Sequence, residues 1–472
     1  MPVDKAKKLD TMKEKVRKWL GRQFVYGEGN MSGQNQHGNQ MQIENWRDQK
    51  FGMFIHWGLY SLHGEGEWAM FLQQIDKDRY RKLKDRFAAE NFDADSWAQL
   101  AKDAGMGYMV MTAKHHDGFS LWDSPSSYEN FDSMHSAAMR DFVREYTDAC
   151  RKAGLLVGIY YSPMDWRFPG FFLPELFREN ANALVKQNYD QIKELVSNYG
   201  PVDIFWYDGG EDFCVAMGLD INQGKKPDDI KKNPRYKDFY KAGEVDRMVR
   251  TLQPGIITND RFGMRQYGDY TCPEMRVGAF NVDTPWETCD SISEGCWGYR
   301  PGSKIRSLRS CIQLLVKVVT GGGNLLLNVG PKPDGTIEQE QVDRLREVGV
   351  WLKQYGCSIY GTRGGPIKCP EGYGTVHKEN KLYVHVWDWV KDSVALPDTG
   401  NPAVKCLTAE SACVKQQDGM LMLSVSTEDQ LAMDTIFELT YSEKVSDIFP
   451  QVVDWTVQRN ANYSNPVNLG DL

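Results

Sequence analysis

"YMVMTAKHH" (108–116) decides how the chain is read. It is an apolar run with no polar alternation, and it ends in two adjacent histidines of only eight in the chain. A run that is apolar on both sides suits a strand covered on both faces, as in a parallel sheet. Just upstream, "FDADSWAQLAKDAG" (92–105) reads as a helix. Asp93 or Asp95 can cap it, Trp97, Leu100, Ala101 and Ala104 share a face, and Gly105 ends it. Downstream, Phe142, Tyr146, Ala149, Cys150 and Ala153 make the next stripe before Gly154, and "LLVGIYYS" (155–162) follows. Val185, Tyr189, Ile192, Val196 and Tyr199 then precede "VDIFWYD" (202–208).

The same alternation extends to "KFGMFIHWG" (50–58), "GIITND" (255–260) and "NLLLNVGP" (324–331). Ile305, Leu308, Ile312, Leu315 and Val319 mark a helix before the last of these, and Val342, Leu345, Val348 and Leu352 one after it. Strand–helix repetition implies an α/β fold with a parallel sheet, either closed into a barrel or open and doubly wound. No GxGxxG follows an early strand, so the open nucleotide-binding version lacks support. After residue 357 the texture changes: "KLYVHVWDW", "GMLMLSVS" and "TIFELTY" predict a small antiparallel β-sandwich. The expected division is an N-terminal helical extension (1–44), a catalytic (β/α) barrel (45–356), a β-sandwich (357–442) and a C-terminal tail (443–472).

Composition narrows the function. The net charge is −8, with both signs interspersed, which disfavours nucleic acid and anionic membranes as partners. Fourteen Trp and 22 Tyr suit sugar stacking, although most such rings simply pack. Ten cysteines without a CxxC pair read as free thiols in a reducing compartment. The N-terminus is charged, without the apolar centre of a leader, and predicts a soluble cytoplasmic protein unless a leader has been removed.

The strand ends carry the chemistry. They finish in His56-Trp57, His115-His116-Asp117, Tyr160-Tyr161-Ser162, Trp206-Tyr207-Asp208-Gly209-Gly210 and Asn259-Asp260-Arg261. In a parallel barrel these ends share one rim, where residues distant in sequence face one pocket. His56, His115, His116 and Asp208 could ligate a metal, but adjacent histidines on a strand point to opposite sides and the spacing is not that of a zinc site. GxSxG is absent. Carboxylates among neutral donors and tryptophans fit glycoside hydrolysis better.

Taken in order, "KFGMFIHWGLYS", "EW" (67–68), "TAKHHDGF", "WYDGG", "GDYTCPE" (268–274), "WETC" (286–289), "WGY" (297–299) and "GGGNLLLNVGP" (321–331) resemble glycoside hydrolase family 29, the retaining α-L-fucosidases. The resemblance runs from about residue 45 to 360. It implies a (β/α)8-like TIM barrel followed by a small C-terminal antiparallel β-sandwich, no metal, no cofactor, and a fucosylated glycan as partner. A homo-oligomer is compatible with it. It makes Asp208 the nucleophile. Glu274 matches the usual place of the acid/base, with Glu287 as competitor and Glu67 as a third carboxylate. It makes His56, His115, His116, Glu67, Trp68, Tyr160, Trp206 and Arg261 sugar-binding, and Trp297 the aromatic against the sugar's methyl group. Both adjacent histidines reach one pocket only if the strand end is kinked. A retaining pair of carboxyls is expected about 5–5.5 Å apart. The rivals are the same scaffold acting on a related sugar such as an α-L-galactoside, a non-catalytic sugar-binding protein, and metal-dependent hydrolysis. "LHGEGEWAMF" (62–71) and the aromatic "RFPGFFLPELF" (167–177) depart from the family pattern and leave the leaving-group preference open; within the second, "FFLPELF" (171–177) is a lid, a subunit contact or a packed loop.

Overall fold

The structure, a computed structural model, describes residues 40–174, 176–210, 238–262, 267–431 and 433–456. Most of the expected N-terminal extension and the end of the tail (457–472) lie outside the described residues.

Seven strands form one parallel sheet: β1 (Phe51–Ile55), β2 (Tyr108–Lys114), β3 (Leu156–Tyr161), β4 (Ile204–Tyr207), β5 (Ile257–Thr258), β6 (Glu287–Ser291) and β7 (Asn324–Val329). Their spatial order is β5-β4-β3-β2-β1-β7-β6. The two edges are joined through residues 270–274. Tyr270 bridges Asn259 just beyond β5, while Thr271 and Glu274 bridge Trp286 and Cys289 at β6, all in the parallel sense. This irregular eighth stave closes the ring, so the fold is a barrel and not an open sheet.

Period-two burial explains the unbroken apolar runs. Phe54, Tyr108, Val110, Tyr160, Ile204, Trp206 and Leu326 fill the barrel interior. Their neighbours Met53, Ile55, Met109, Met111, Val157, Ile159, Phe205, Leu325 and Leu327 face the surrounding helices. Both faces are covered, so these strands read as apolar throughout. The longer helices among the described residues are α1 (Gln40–Gln49), α2 (Ala94–Asp103), α3 (Phe142–Ala153), α4 (Arg178–Asn198), α5 (Ala242–Leu252), α6 (Leu308–Thr320) and α7 (Gln339–Tyr355). Asp93 caps α2 by accepting from the amides of Asp95 and Ser96. Gly154 ends α3 in the left-handed region. α1 seals one end of the barrel: Trp46 belongs to the interior cluster, its ring 4.5 Å from Tyr270, and its carbonyl accepts from Asn324 Nδ2 at 2.7 Å.

Beyond α7 come two antiparallel sheets and one short parallel pair, 367–368 with 453–454. One sheet runs 403–406, 435–440, 381–386, 373–378, 363–364 in space, and a second runs 394–397, 420–424, 413–417. Leu382, Val384, Val386, Phe437 and Leu439 of the first meet Leu396, Leu421 and Leu423 of the second. The opposite face of the first sheet, through Val376, Tyr383 and Ile436, packs on the barrel's own core. Buried His385 ties the two: Nδ1 lies 2.6 Å from Asp434, and Nε2 is 3.2 Å from the Ser358 carbonyl after α7. The nine cysteines described are all free thiols. Among the described residues no helix is long and apolar enough to cross a membrane.

Candidate active site

The strand ends do converge. His56 follows β1 and the two histidines follow β2. Tyr160 ends β3, Trp206 and Asp208 sit at the end of β4, and Arg261 follows β5. Glu274 lies on the eighth stave, Trp297 follows β6, and Glu67-Trp68 come from the loop after β1. All eleven line one pocket of about 170 Å³, room for a single sugar ring. Phe54, Met275, Cys289, Gly295 and Cys296 complete the lining. The i, i+2 relation of Phe54 to His56 was a readable signal; nothing in the sequence pointed to the others.

A β-bulge puts both adjacent histidines into the pocket. β2 and β3 pair in register up to Thr112–Tyr160, then Lys114 pairs with Tyr161, so Ala113 is the extra residue. The chain then turns, with the Gly118 amide on the His115 carbonyl at 3.0 Å and Gly118 at φ 85. A side chain at Gly118 would need that left-handed backbone and would collide with Asp165 at 2.4 Å. The alternation rule lapses at this turn, and the two imidazole centroids come within 4.0 Å of each other.

The histidines are neutral. Burial pushes His56 down to about 4 and His116 to about 3, and it drives His115 well below the imidazole range. Asn328 donates through Nδ2 to the Trp297 carbonyl (2.8 Å) and to Ser291 (3.2 Å), so its oxygen faces His56 Nδ1 at 2.7 Å. His56 therefore carries its proton on Nδ1 and presents Nε2 as an acceptor. His116 Nδ1 lies 2.6 Å from Ser162 Oγ. His115 Nδ1 is buried with no hydrogen-bond partner among the described residues. Neutral imidazoles that donate and accept suit hydroxyl groups and offer no charge to an anion.

Two carboxylates share one nitrogen. Arg261 Nη1 donates to Asp208 Oδ1 at 3.2 Å and to Glu274 Oε2 at 2.9 Å. Oxygens on one nitrogen can be no farther apart than the sum of those distances. That is below the roughly 6.5–9.5 Å of an inverting pair and admits the about 5–5.5 Å of a retaining one. Arg261 is held from behind: Nε and Nη2 donate to the Cys272 carbonyl (3.2 and 2.9 Å), and its guanidinium lies 4.9 Å from the centre of the Trp206 ring. The fixed guanidinium leaves the two acids in different states. Burial opposes charge on Asp208, but nearby His116, the Arg261 charge and the Tyr160 hydroxyl, which donates to Oδ2 at 2.9 Å, together hold its carboxyl below the usual range. His116 is itself neutral, so near neutral pH it acts as a dipole 3.6 Å away. For Glu274, burial and the Asp208 charge outweigh Arg261 and raise its pKa.

The other carboxylates are placed differently. Glu67 lines the pocket, and its Oε2 accepts the amides of Trp297 and Gly298 at 3.1 and 2.8 Å. Glu287 does not line the pocket. It lies in the barrel interior, accepting from Tyr108 OH at 2.5 Å and Trp206 Nε1 at 3.0 Å, and burial pushes it up to about 7. The unfolded chain loses this proton near 4.5, so the stability Glu287 contributes is full at low pH. It declines as pH rises to about 7, by about 3 kcal/mol. Glu287→Gln is expected to flatten that part of the decline in thermal melts between about pH 5 and 8.

Within "RFPGFFLPELF", Pro169–Phe172 form a short helix. Phe168 and Phe171 are buried, and Phe172 stacks on Phe71 at 6.3 Å; Leu176 and Phe177 are exposed.

A closed parallel barrel bearing two pocket carboxyls on one guanidinium nitrogen, one with its pKa lowered and the other with its pKa raised, fits a glycoside hydrolase of the retaining class. The family model for alpha-L-fucosidase matches residues 27–357, and the chain belongs to that family, glycoside hydrolase family 29. It is 32% identical to human plasma alpha-L-fucosidase over 380 residues, 74% of this chain and 77% of that one. Alpha-L-fucosidase isoenzyme 1 from Paenibacillus thiaminolyticus aligns with a TM-score of 0.72 at 32% identity, covering 86% of this chain and 99% of that one. An alpha-L-fucosidase from Bacteroides thetaiotaomicron, solved as a trapped covalent intermediate with 2-fluoro-fucosyl fluoride, aligns at 0.74 with 25% identity, covering 86% of this chain and 98% of that one.

Proposed function

We propose that this chain releases terminal α-L-fucose from oligosaccharides or glycoconjugates by double displacement, with Asp208 as nucleophile and Glu274 as acid/base. The observation that carries the assignment is the shared Arg261 nitrogen, with Asp208 lowered and Glu274 raised on either side of it. In the first step an Asp208 oxygen bonds to the anomeric carbon. The bond to the leaving oxygen breaks, and that oxygen takes the Glu274 proton. In the second, Glu274 as carboxylate takes a proton from water, the water oxygen bonds to the same carbon, and Asp208 leaves. Tyr160 and Arg261 hold Asp208 on its trajectory. His56, His115, His116, Glu67, Trp68 and Trp206 meet the sugar, with Trp297 at its methyl group.

Two inversions at one carbon give net retention. Proton NMR during hydrolysis of nitrophenyl α-L-fucoside should show α-fucose first, with the β anomer growing only by mutarotation. Initial β-fucose would refute the double displacement.

A further inference from the structure

Glu274 and Met275 both line the pocket, although consecutive residues on a regular stave face opposite sides. The backbone accounts for it. Met275 adopts φ 51, the left-handed region, which costs a bulky L-residue energy. Its amide is bonded to the Cys289 carbonyl at 2.9 Å, so the twist is pinned to β6. The result is a methionine that is 49% exposed at the pocket, directly after the acid/base. The fold accepts backbone strain to hold an apolar, unbranched side chain there, where glycine would sit without cost.

We infer that Met275 is a leaving-group contact, against which the apolar face of a departing sugar, or an aryl ring, packs. This rests on the fucosidase reading above. A general acid acts within about 2.6–3.2 Å of the atom it protonates. The leaving oxygen must therefore sit at Glu274, and the ring it belongs to must extend past the residues beside Glu274. Met275 is the pocket-lining neighbour. A thioether on a flexible chain adapts to rings of different shape, so this contact favours a ring over no ring without selecting one linkage sharply.

The test compares substrates with and without a ring to lose. kcat/KM is measured for the wild type, Met275→Ala and Met275→Gly on α-L-fucosyl fluoride, on nitrophenyl α-L-fucoside and on a fucosyl disaccharide. In both variants the ratio of either ring substrate to the fluoride should fall about tenfold. The glycine variant should melt at or above the wild-type temperature, because the strained conformation is relieved. An unchanged ratio, or equal losses on all three substrates, would overturn the inference. So would a lowered melting temperature in the glycine variant, which would make Met275 a packing residue. Wild-type protein that fails to turn over any of the three would instead overturn the fucosidase reading itself.

Discussion

Asp208→Gly should lower fucosidase turnover by about 10⁴-fold or more, the scale on which removal of a nucleophile acts. It should be partly revived by azide. The reason lies in what surrounds the carboxylate. Arg261 Nη1, the Tyr160 hydroxyl and His116 all converge on Asp208. Removing the carboxyl leaves them facing a space built for a small anion. Azide in that space attacks the anomeric carbon from the face Asp208 used, and Glu274 still protonates the leaving oxygen. The product is β-L-fucosyl azide, formed by a single inversion. The pH profile should also move. The Asp208 charge is one of the causes that raise Glu274, so without it Glu274 loses its proton earlier and the alkaline limb shifts to lower pH. Near-normal turnover without azide, or α-configured product with it, would remove Asp208 from the nucleophile's place.

The parts of this fold that were legible share a cause, and so do those that were not. β1, β2, β3, β4 and β7 are buried on both faces and read as apolar runs, and the capped and glycine-stopped helices between them kept their 3.6-residue stripes. β6 is "ETCDS", polar yet wholly buried, because Glu287 finds Tyr108 and Trp206 inside the barrel and Asp290 finds Arg306. Partners from distant strands make that polarity affordable, and no local pattern reveals them. The eighth stave is held by isolated bridges, so it has no period to detect. The site was more legible than its frame: polar tips at successive strand ends announce a rim whatever closes the ring. Glu274 and Glu287 could not be separated by residue type or spacing. Their separation needed the inward direction of Glu287 and the shared Arg261 contact of Glu274. Met275 and the bulge at Ala113 stayed hidden for a similar reason, since both depend on backbone that departs from the regular strand.

Glu274→Ala should show losses graded by leaving group. A sugar alkoxide cannot depart without a proton, so cleavage of a fucosyl disaccharide should fall by about 10²–10⁴-fold, the range of general acid catalysis. Fluoride needs far less help, and α-L-fucosyl fluoride should load Asp208 at a rate nearer the wild type. The second step then lacks its base, so a fucosylated enzyme should accumulate, seen as a burst and as added mass in intact-protein spectrometry. The pH dependence has a definite sign. In the wild type, activity falls on the acid side as Asp208 gains a proton and on the alkaline side as Glu274 loses one; the two limbs belong to the pair jointly, since both acids sit on Arg261. The variant should keep the acid limb and lose the alkaline one. Azide again separates the roles. In the Glu274 variant it attacks the anomeric carbon of the fucosylated enzyme from the solvent side, the bond to Asp208 breaks and Asp208 leaves as the carboxylate; one inversion has already occurred, so the product is α-L-fucosyl azide. Opposite azide anomers from two substitutions around a single guanidinium would assign each carboxyl its face of the sugar. The same anomer from both would mean that Glu274 and Asp208 do not act from opposite sides.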